Sequence, residues 1–387
     1  MLLLKNADLF APSKAGRADI LIAGGRIERI DRDIHVPDGC ADVVDGSAFL
    51  AVPGFIDGHV HITGGGGEGG YATRTPELRL SDAIRGGVTT IVGCLGTDGV
   101  TRSLANLLAK ARGLEHEGIS AFMYTGYYAV PVRTLTGSIE QDLLLIDKVV
   151  GVGEVALSDH RSTQPTFEEF ARIAAEARRG GILSGKAGVV NVHMGDGRRG
   201  LSLLRRILEE TEIPPTQFLP THINRNPALF EEGIAYAKAG GLVDFTTSTV
   251  PAFVEDGEVK CSRGLRLMLE AGVDASHITF SSDGQGSLPA FDAQGRLQRL
   301  EVGSVTSLFG EVRDAVLHDQ VPLETALQTV TANPARILKL GGKGQLSAGA
   351  DADLVLLDPK SLEIRGVIAR GRWLMRDGQP LVKGTFE

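Results

Sequence analysis

Residues 53 to 68 read Pro-Gly-Phe-Ile-Asp-Gly-His-Val-His-Ile-Thr-Gly-Gly-Gly-Gly-Glu, and the apolar run Phe49-Leu-Ala-Val52 leads into them. In a strand, residues i and i+2 share a face. His59 and His61 therefore point one way and Val60 the other. Two imidazoles converging at a strand end, ahead of a glycine-rich loop, supply half of a metal site. The bland reading makes one histidine a core residue and the other a surface residue. It weakens as the rest of the chain is read.

Later apolar runs end in polar residues that can join this pair. Thr97 and Asp98 follow the second run and Tyr127-Tyr128 the third; Glu154 lies in the fourth, His193 in the fifth and His222 in the sixth. Arg225 comes just after His222, and the eighth run ends Ser281-Ser-Asp283-Gly-Gln-Gly-Ser287. Glu68 sits in the loop after the first. Four of the 9 histidines thus fall at strand ends. Four imidazoles and two or more carboxylates exceed the needs of one tetrahedral zinc. They suit two divalent ions that share a bridging carboxylate and a water. Such a water loses its proton near neutral pH and attacks a carbonyl. Asp283 can bind one ion, take that proton and pass it to a leaving amine. An imidazole-rich shell favours zinc. His35, His116, His277 and His318 read as structural or solvated, and His160 is left open. The run Gly64 to Gly67 lacks the Gly-Lys-Ser/Thr continuation of a phosphate loop. A flexible loop bringing Glu68 over the site is the better reading.

The elements that must position these residues come in two textures. Residues 1 to 51 and 342 to 387 read as short strands broken by turn signals such as Gly24-Gly25 and Pro37-Asp38-Gly39. Residues 52 to 341 alternate eight apolar runs with amphipathic helical stretches, which end at pairs such as Gly86-Gly87 and Gly180-Gly181. That alternation means a parallel sheet covered on both faces. Eight units over this length fit a (β/α)8 TIM-like barrel, with a small β-sandwich domain formed by both chain ends. A doubly wound sheet would want a Gly-x-Gly-x-x-Gly turn after its first strand, and none is there.

Of the 387 residues, 42% are hydrophobic and 23% charged. Those proportions are ordinary for a soluble globular protein. The net charge of −8 and the lack of a basic patch argue against nucleic acid. No run reaches the length of a membrane span, and the apolar start is too short for a signal peptide. The 3 cysteines, Cys40, Cys94 and Cys261, are scattered and form no Cys-x-x-Cys. They read as structural residues of a cytoplasmic protein.

The Pro-Gly-Phe-Ile-Asp-Gly-His-Val-His start, the lone histidines on the fifth and sixth strands, Ser-Ser-Asp-Gly on the eighth, and the late Asn-Pro-Ala-Arg and Gly-Ala-Asp-Ala-Asp-Leu segments resemble the amidohydrolase superfamily. Further motifs are similar to those of its isoaspartyl dipeptidase family. They are Gly-Gly-Gly-Gly-Glu68-Gly, Thr-Arg-Thr-Pro-Glu77, Gly96-Thr-Asp98, Ser158-Asp-His-Arg-Ser162, Val192-His-Met-Gly-Asp196, Pro220-Thr-His-Ile-Asn-Arg-Asn226 and the closing Lys-Gly-Thr-Phe-Glu387. The resemblance spans the whole chain. It implies metal-dependent cleavage of dipeptides joined through the side-chain carboxyl of aspartate, by attack of a metal-bound hydroxide on the amide carbonyl. Metal ligands would be His59, His61, His193, His222 and Asp283. Tyr128 would polarise the scissile carbonyl. Glu68, helped by Ser287, would hold the substrate ammonium, Arg161 the aspartyl carboxylate and Arg225 the carboxylate of the departing residue, with Thr97 lining the pocket. Two arginines suit a small zwitterion with two carboxylates, because guanidinium grips carboxylate with two hydrogen bonds. The resemblance also implies a homo-oligomer, up to an octamer.

One position departs. The family bridges its two metals with a carboxylated lysine, seven residues before the arginine of Ser-Asp-His-Arg. Here Glu154 stands there. It supplies the same carboxylate on a shorter stem, so the expectation is two zinc ions bridged by Glu154. Gly151 and Gly153 give the strand room to shift. The alternatives are another amide or cyclic-amide hydrolase on the same scaffold, or a catalytically silent barrel.

Overall fold

The computed structural model describes residues 1–291, 294 and 296–387. The first strands are β1 (Leu2–Phe10), β2 (Lys14–Ala23), β3 (Arg26–Asp31), β4 (Asp42–Asp45) and β5 (Leu50–Pro53). Then come eight strands separated by helices: β6 (Phe55–Val60), β7 (Val88–Gly93), β8 (Ser120–Thr125), β9 (Val149–Leu157), β10 (Val189–Met194), β11 (Phe218–Thr221), β12 (Val243–Thr246) and β13 (Ile278–Ser281). A further pair, β14 (Ser287–Phe291) and β15 (Leu297–Val302), precedes the last helices. The chain closes with β16 (Leu354–Leu357), β17 (Ile364–Ala369), β18 (Arg372–Arg376) and β19 (Gln379–Pro380).

Strands β6 to β11 pair in sequence order, all parallel, and β12 pairs parallel with β13. Two backbone contacts complete the ring. Ile223 N donates to Asp244 O at 3.2 Å, and His61 N donates to Gly284 O at 2.9 Å, beside an Asp283 N to His59 O bond of 3.1 Å. The result is the expected (β/α)8 barrel, and a closed ring excludes the doubly wound alternative. Ile56, Val92, Tyr124, Val150, Val189 and Leu219 come from consecutive strands and, with Leu242 just ahead of β12, pack into one buried cluster with Leu338 and Leu340. This fills the barrel as a packed core rather than a pore. The helices cover the outside and bury the larger cluster around Phe55, Ile91, Leu107, Leu114 and Phe170. The longest, Phe167–Ser184, starts with a capping box between Thr166 and Glu169.

Strands from both chain ends form a separate nine-stranded sheet in which β5 joins β1 on one side and β16 on the other. The apolar stretch that reads as one run from Ala51 to Val60 is therefore two strands, the first in this sheet and the second in the barrel. Lys343 ties the two bodies together. Its buried ammonium donates to Asp353 at 2.6 Å and to Ser120, at the start of β8, at 2.7 Å. A buried charge partnered in this way avoids the penalty of an isolated one.

Candidate metal centre and substrate pocket

His59 and His61 stand at the end of β6, buried and with Nε2 atoms directed at one carboxylate. His59 Nε2 lies 3.2 Å from Glu154 Oε2 and His61 Nε2 lies 3.2 Å from Glu154 Oε1. From the other side, His193 Nδ1 reaches Glu154 Oε2 at 3.2 Å and His222 Nε2 lies 3.7 Å from it. Asp283 Oδ1 is 3.0 Å from His61 Nε2. Two sets of donors lie close enough to hold a cation, His59–His61–Cys94–Glu154 and Glu154–His193–His222, and Glu154 belongs to both. The histidines at 35, 116, 160, 277 and 318 lie outside both sets.

The strand geometry explains how a short glutamate stem reaches the centre. Val152 pairs with Val190 and Val155 with Val192, so Gly153 and Glu154 together oppose Asn191. That extra residue is a β-bulge, a device that re-aims a side chain. A Cβ at Gly153 would lie 2.8 Å from that of Asn191, which only glycine avoids. Gly286 serves the other wall, where a Cβ would come within 2.3 Å of Asp283 Oδ1. His222 and Asp283 themselves sit at φ +63° and +52°. Non-glycine residues use that conformation sparsely, and it clusters at functional sites.

A divalent cation fits this donor set. Both ring nitrogens of His59 and Oδ1 of Asp283 are buried and make no hydrogen bond among the described residues. Buried polar atoms rarely go unpartnered. The charge balance points the same way. Burial disfavours protonation of His59 and His61, yet Cys94 and Glu154 beside both rings, with Asp283 beside His61, draw protons onto them well above the usual imidazole range. Burial likewise opposes ionisation of Glu154, but the charge of His59 and hydrogen bonds from His193 and His222 hold its carboxyl well below the usual range. Burial and the neighbouring His193 push His222 down to about 3. The centre thus attracts positive charge while leaving neutral imidazole available.

Tyr128 Oη lies 2.8 Å from His193 Nδ1. Burial and then the charge of Glu154 push its phenol well above the ordinary value, so it remains an O–H donor at neutral pH. Beside it, the Arg161 guanidinium grips Asp159 twice, Nε to Oδ1 at 3.0 Å and Nη2 to Oδ2 at 2.7 Å. Nη1 donates to Glu68 at 3.3 Å. Glu68 also accepts from Thr97 Oγ1 at 3.1 Å and Ser287 Oγ at 3.0 Å. Four of the expected substrate residues therefore form one network. The fifth, Arg225, stands apart in the same cavity of about 270 Å³, which Glu258 also lines. The buried Nε of Arg225 and Oε1 of Glu258 make no hydrogen bond among the described residues. Burial raises Glu258 to about 7, against the pull of Thr249 and Arg225.

Several functional neighbours escape a reading of strand ends. Cys94, expected to be structural, lies in the first donor set. Asp159 bonds His193 Nε2 at 3.0 Å as well as Arg161. Glu258 comes from the loop ahead of helix Cys261–Glu270. The β14–β15 pair carries Ser287 and places Leu288 and Pro289 in the pocket wall. Its sequence signal was present, since Leu297-Gln-Arg-Leu-Glu-Val follows a turn-like Asp-Ala-Gln-Gly-Arg. Asp98 follows β7 as expected but turns outward to Arg74, 2.8 Å away.

The amidohydrolase family model matches residues 50–196 and 237–374. A solved β-aspartyl dipeptidase of Fervidobacterium islandicum AW-1, in complex with the β-Asp-Leu dipeptide, is 49% identical, with a TM-score of 0.91 over 98% of both chains. A D-hydantoinase structure at 20% identity has a TM-score of 0.70 over 99% of this chain and 97% of its own, which shows a shared fold. Among curated proteins, a dihydroorotase of Lactiplantibacillus plantarum is 25% identical over 92% of this chain and 88% of its own. A deacetylase of Brucella anthropi is 24% identical over 91% of this chain and 82% of its own. No helix among the described residues is long and apolar enough to cross a membrane.

Proposed function

This chain belongs to the amidohydrolase family, and from that membership we propose that it is a metal-dependent dipeptidase hydrolysing isoaspartyl (β-aspartyl) dipeptides. The observation that carries the reading is the charge pattern of the pocket. In the cavity, whose wall also carries Asp196, Asp256 and Glu258, the carboxylate of Glu68 and the guanidinium groups of Arg161 and Arg225 stand with the metal-ligating cluster. That pattern complements a small zwitterion with one ammonium and two carboxylates. The 49% identity to a dipeptidase bound to β-Asp-Leu supports it. A neutral cyclic amide would not need both arginines.

His59, His61, Glu154 and Asp283 would hold one cation, and Glu154, His193 and His222 a second. Both would be zinc, with Glu154 as the carboxylate common to the two donor sets, because imidazole-rich shells favour that ion. Bound there, the metal would polarise the amide carbonyl and lower the pKa of water. The protein's own groups do the rest. Glu68 accepts the substrate ammonium, with Ser287 beside it, and Thr97 lines that wall. Arg161 takes the aspartyl α-carboxylate and Arg225 that of the departing residue. Tyr128, kept protonated, donates its O–H to the scissile oxygen as negative charge develops there. Asp283 removes the proton of the attacking water and returns it to the departing amine.

The test is hydrolysis of β-aspartyl-leucine against α-aspartyl-leucine by purified protein supplied with zinc. Cleavage of the β isomer alone is expected. Failure on both isomers at full metal occupancy would sink the reading.

A further inference from the structure

We propose that Cys94 is a thiolate ligand of the first half of the metal centre, a further donor beside His59, His61, Glu154 and Asp283. The inference rests on the metal-dependent reading above and deepens it. Cys94 directly follows β7, and its amide donates at 3.0 Å to the carbonyl of Val60, the residue between the two histidines. The side chain is fully buried. Its Sγ lies 3.8 and 3.9 Å from the two ring nitrogens of His61.

One ligand atom from each of His59, His61, Cys94 and Glu154 lies within 4.8 Å of the others. Zinc bonds of about 2.0–2.1 Å to nitrogen or oxygen and about 2.3 Å to sulfur, at tetrahedral angles, set ligand atoms ~3.3 Å apart for N and O and ~3.5 Å apart for S and N. The two histidine–Glu154 separations are each 3.2 Å. Only one His61 nitrogen can bind the ion, and Sγ lies 3.9 Å from Nε2, the one that faces Glu154, a few tenths longer than the ideal. The buried, unpartnered ring nitrogens of His59 belong to the same set. The other two cysteines are placed otherwise: Cys40 is exposed, and Cys261 donates to Thr246 O at 2.9 Å.

The two halves of the centre then differ in kind. A thiolate adds a soft donor and a further negative charge beside Glu154 and Asp283, and its softness favours zinc over hard ions such as magnesium or manganese. The set Glu154–His193–His222 has three donors. That number leaves a position for water at a catalytic ion. On ligation the Cys94 S–H bond breaks, sulfur keeps the electron pair for the metal, and the proton leaves to solvent.

The test uses the full-length protein with Cys40→Ser, which removes the exposed thiol, loaded with cobalt(II) in place of zinc. A thiolate-to-cobalt charge-transfer absorption in the near ultraviolet is expected, and Cys94→Ser should abolish it. The same substitution should weaken binding of the tighter zinc ion roughly 10- to 100-fold or more, since even outer partners of a ligand act on that scale. Fully cobalt-loaded protein without the absorption would overturn the proposal with no need of a variant, and so would an absorption that survives Cys94→Ser. Hydrolysis of β-aspartyl-leucine is scored separately. Cleavage without the absorption removes the thiolate and leaves the dipeptidase reading standing, whereas the absorption without cleavage does the reverse.

Discussion

The two ends of the pocket are built on opposite plans. At one end Glu68 is already held by Thr97, Arg161 and Ser287, and Asp159 locks Arg161 from behind. At the other, Arg225 Nε and Glu258 Oε1 are buried without hydrogen bonds among the described residues. A satisfied network costs little to reorganise when ligand arrives and fixes geometry tightly. Unsatisfied buried groups gain most when a ligand supplies the missing partner. The contrast matches the chemistry proposed. The aspartyl moiety is constant and meets a rigid end. The departing residue varies and meets an end that offers one guanidinium and leaves the rest open.

Three experiments press on this difference, in falling order of effect. Glu68→Ala removes the shared acceptor of the rigid end and leaves Arg161, Thr97 and Ser287 short of a partner. Breaking a buried ion pair costs about 3–5 kcal/mol, so kcat/KM for β-aspartyl-leucine should fall roughly 150- to 5000-fold. A loss no greater than that of an Arg225 variant would erase the contrast between the ends. Arg225→Met should act on binding alone, raising KM roughly 10- to 100-fold with kcat little changed, as expected for one charge-assisted contact made equally in ground and transition states. A fall in kcat with constant KM would place Arg225 in the chemistry instead. The smallest effect concerns Glu258. Burial raises its pKa to about 7, so it is neutral below that pH and anionic above. The anion draws on Arg225 and repels the departing carboxylate. KM should therefore climb as pH passes upward through the Glu258 pKa, and Glu258→Gln should flatten that climb; an unchanged profile would show that Glu258 does not face the substrate.

Much of this was legible before any coordinates. The pleat puts His59 and His61 on one face whatever else the chain does. Alternating apolar runs and amphipathic helices require a covered parallel sheet, so residues at the ends of those runs fall on one rim. That is why the positions at 193, 222, 225 and 283 stood out from spacing alone. The hidden part lies in register. Nothing local in Val-Gly-Glu-Val says that two residues of β9 oppose one of β10, yet that bulge aims Glu154. Asp159 is one polar residue among several in its loop until it meets Arg161 and His193. Cys94, read as a structural residue, acquires a different meaning only when β6 and β9 bring His61 and Glu154 against it.

The sequence by itself determined which side chains face the barrel mouth and what charges they bring, because a strand's two-residue period and a helix's amphipathic stripe are local properties of the chain. Which of them touch was decided by the closed ring. Hydrogen-bond register between strands distant in sequence sets the separations among His59, His61, Glu154, His193 and Asp283 to within an ångström, and only the folded barrel fixes that register.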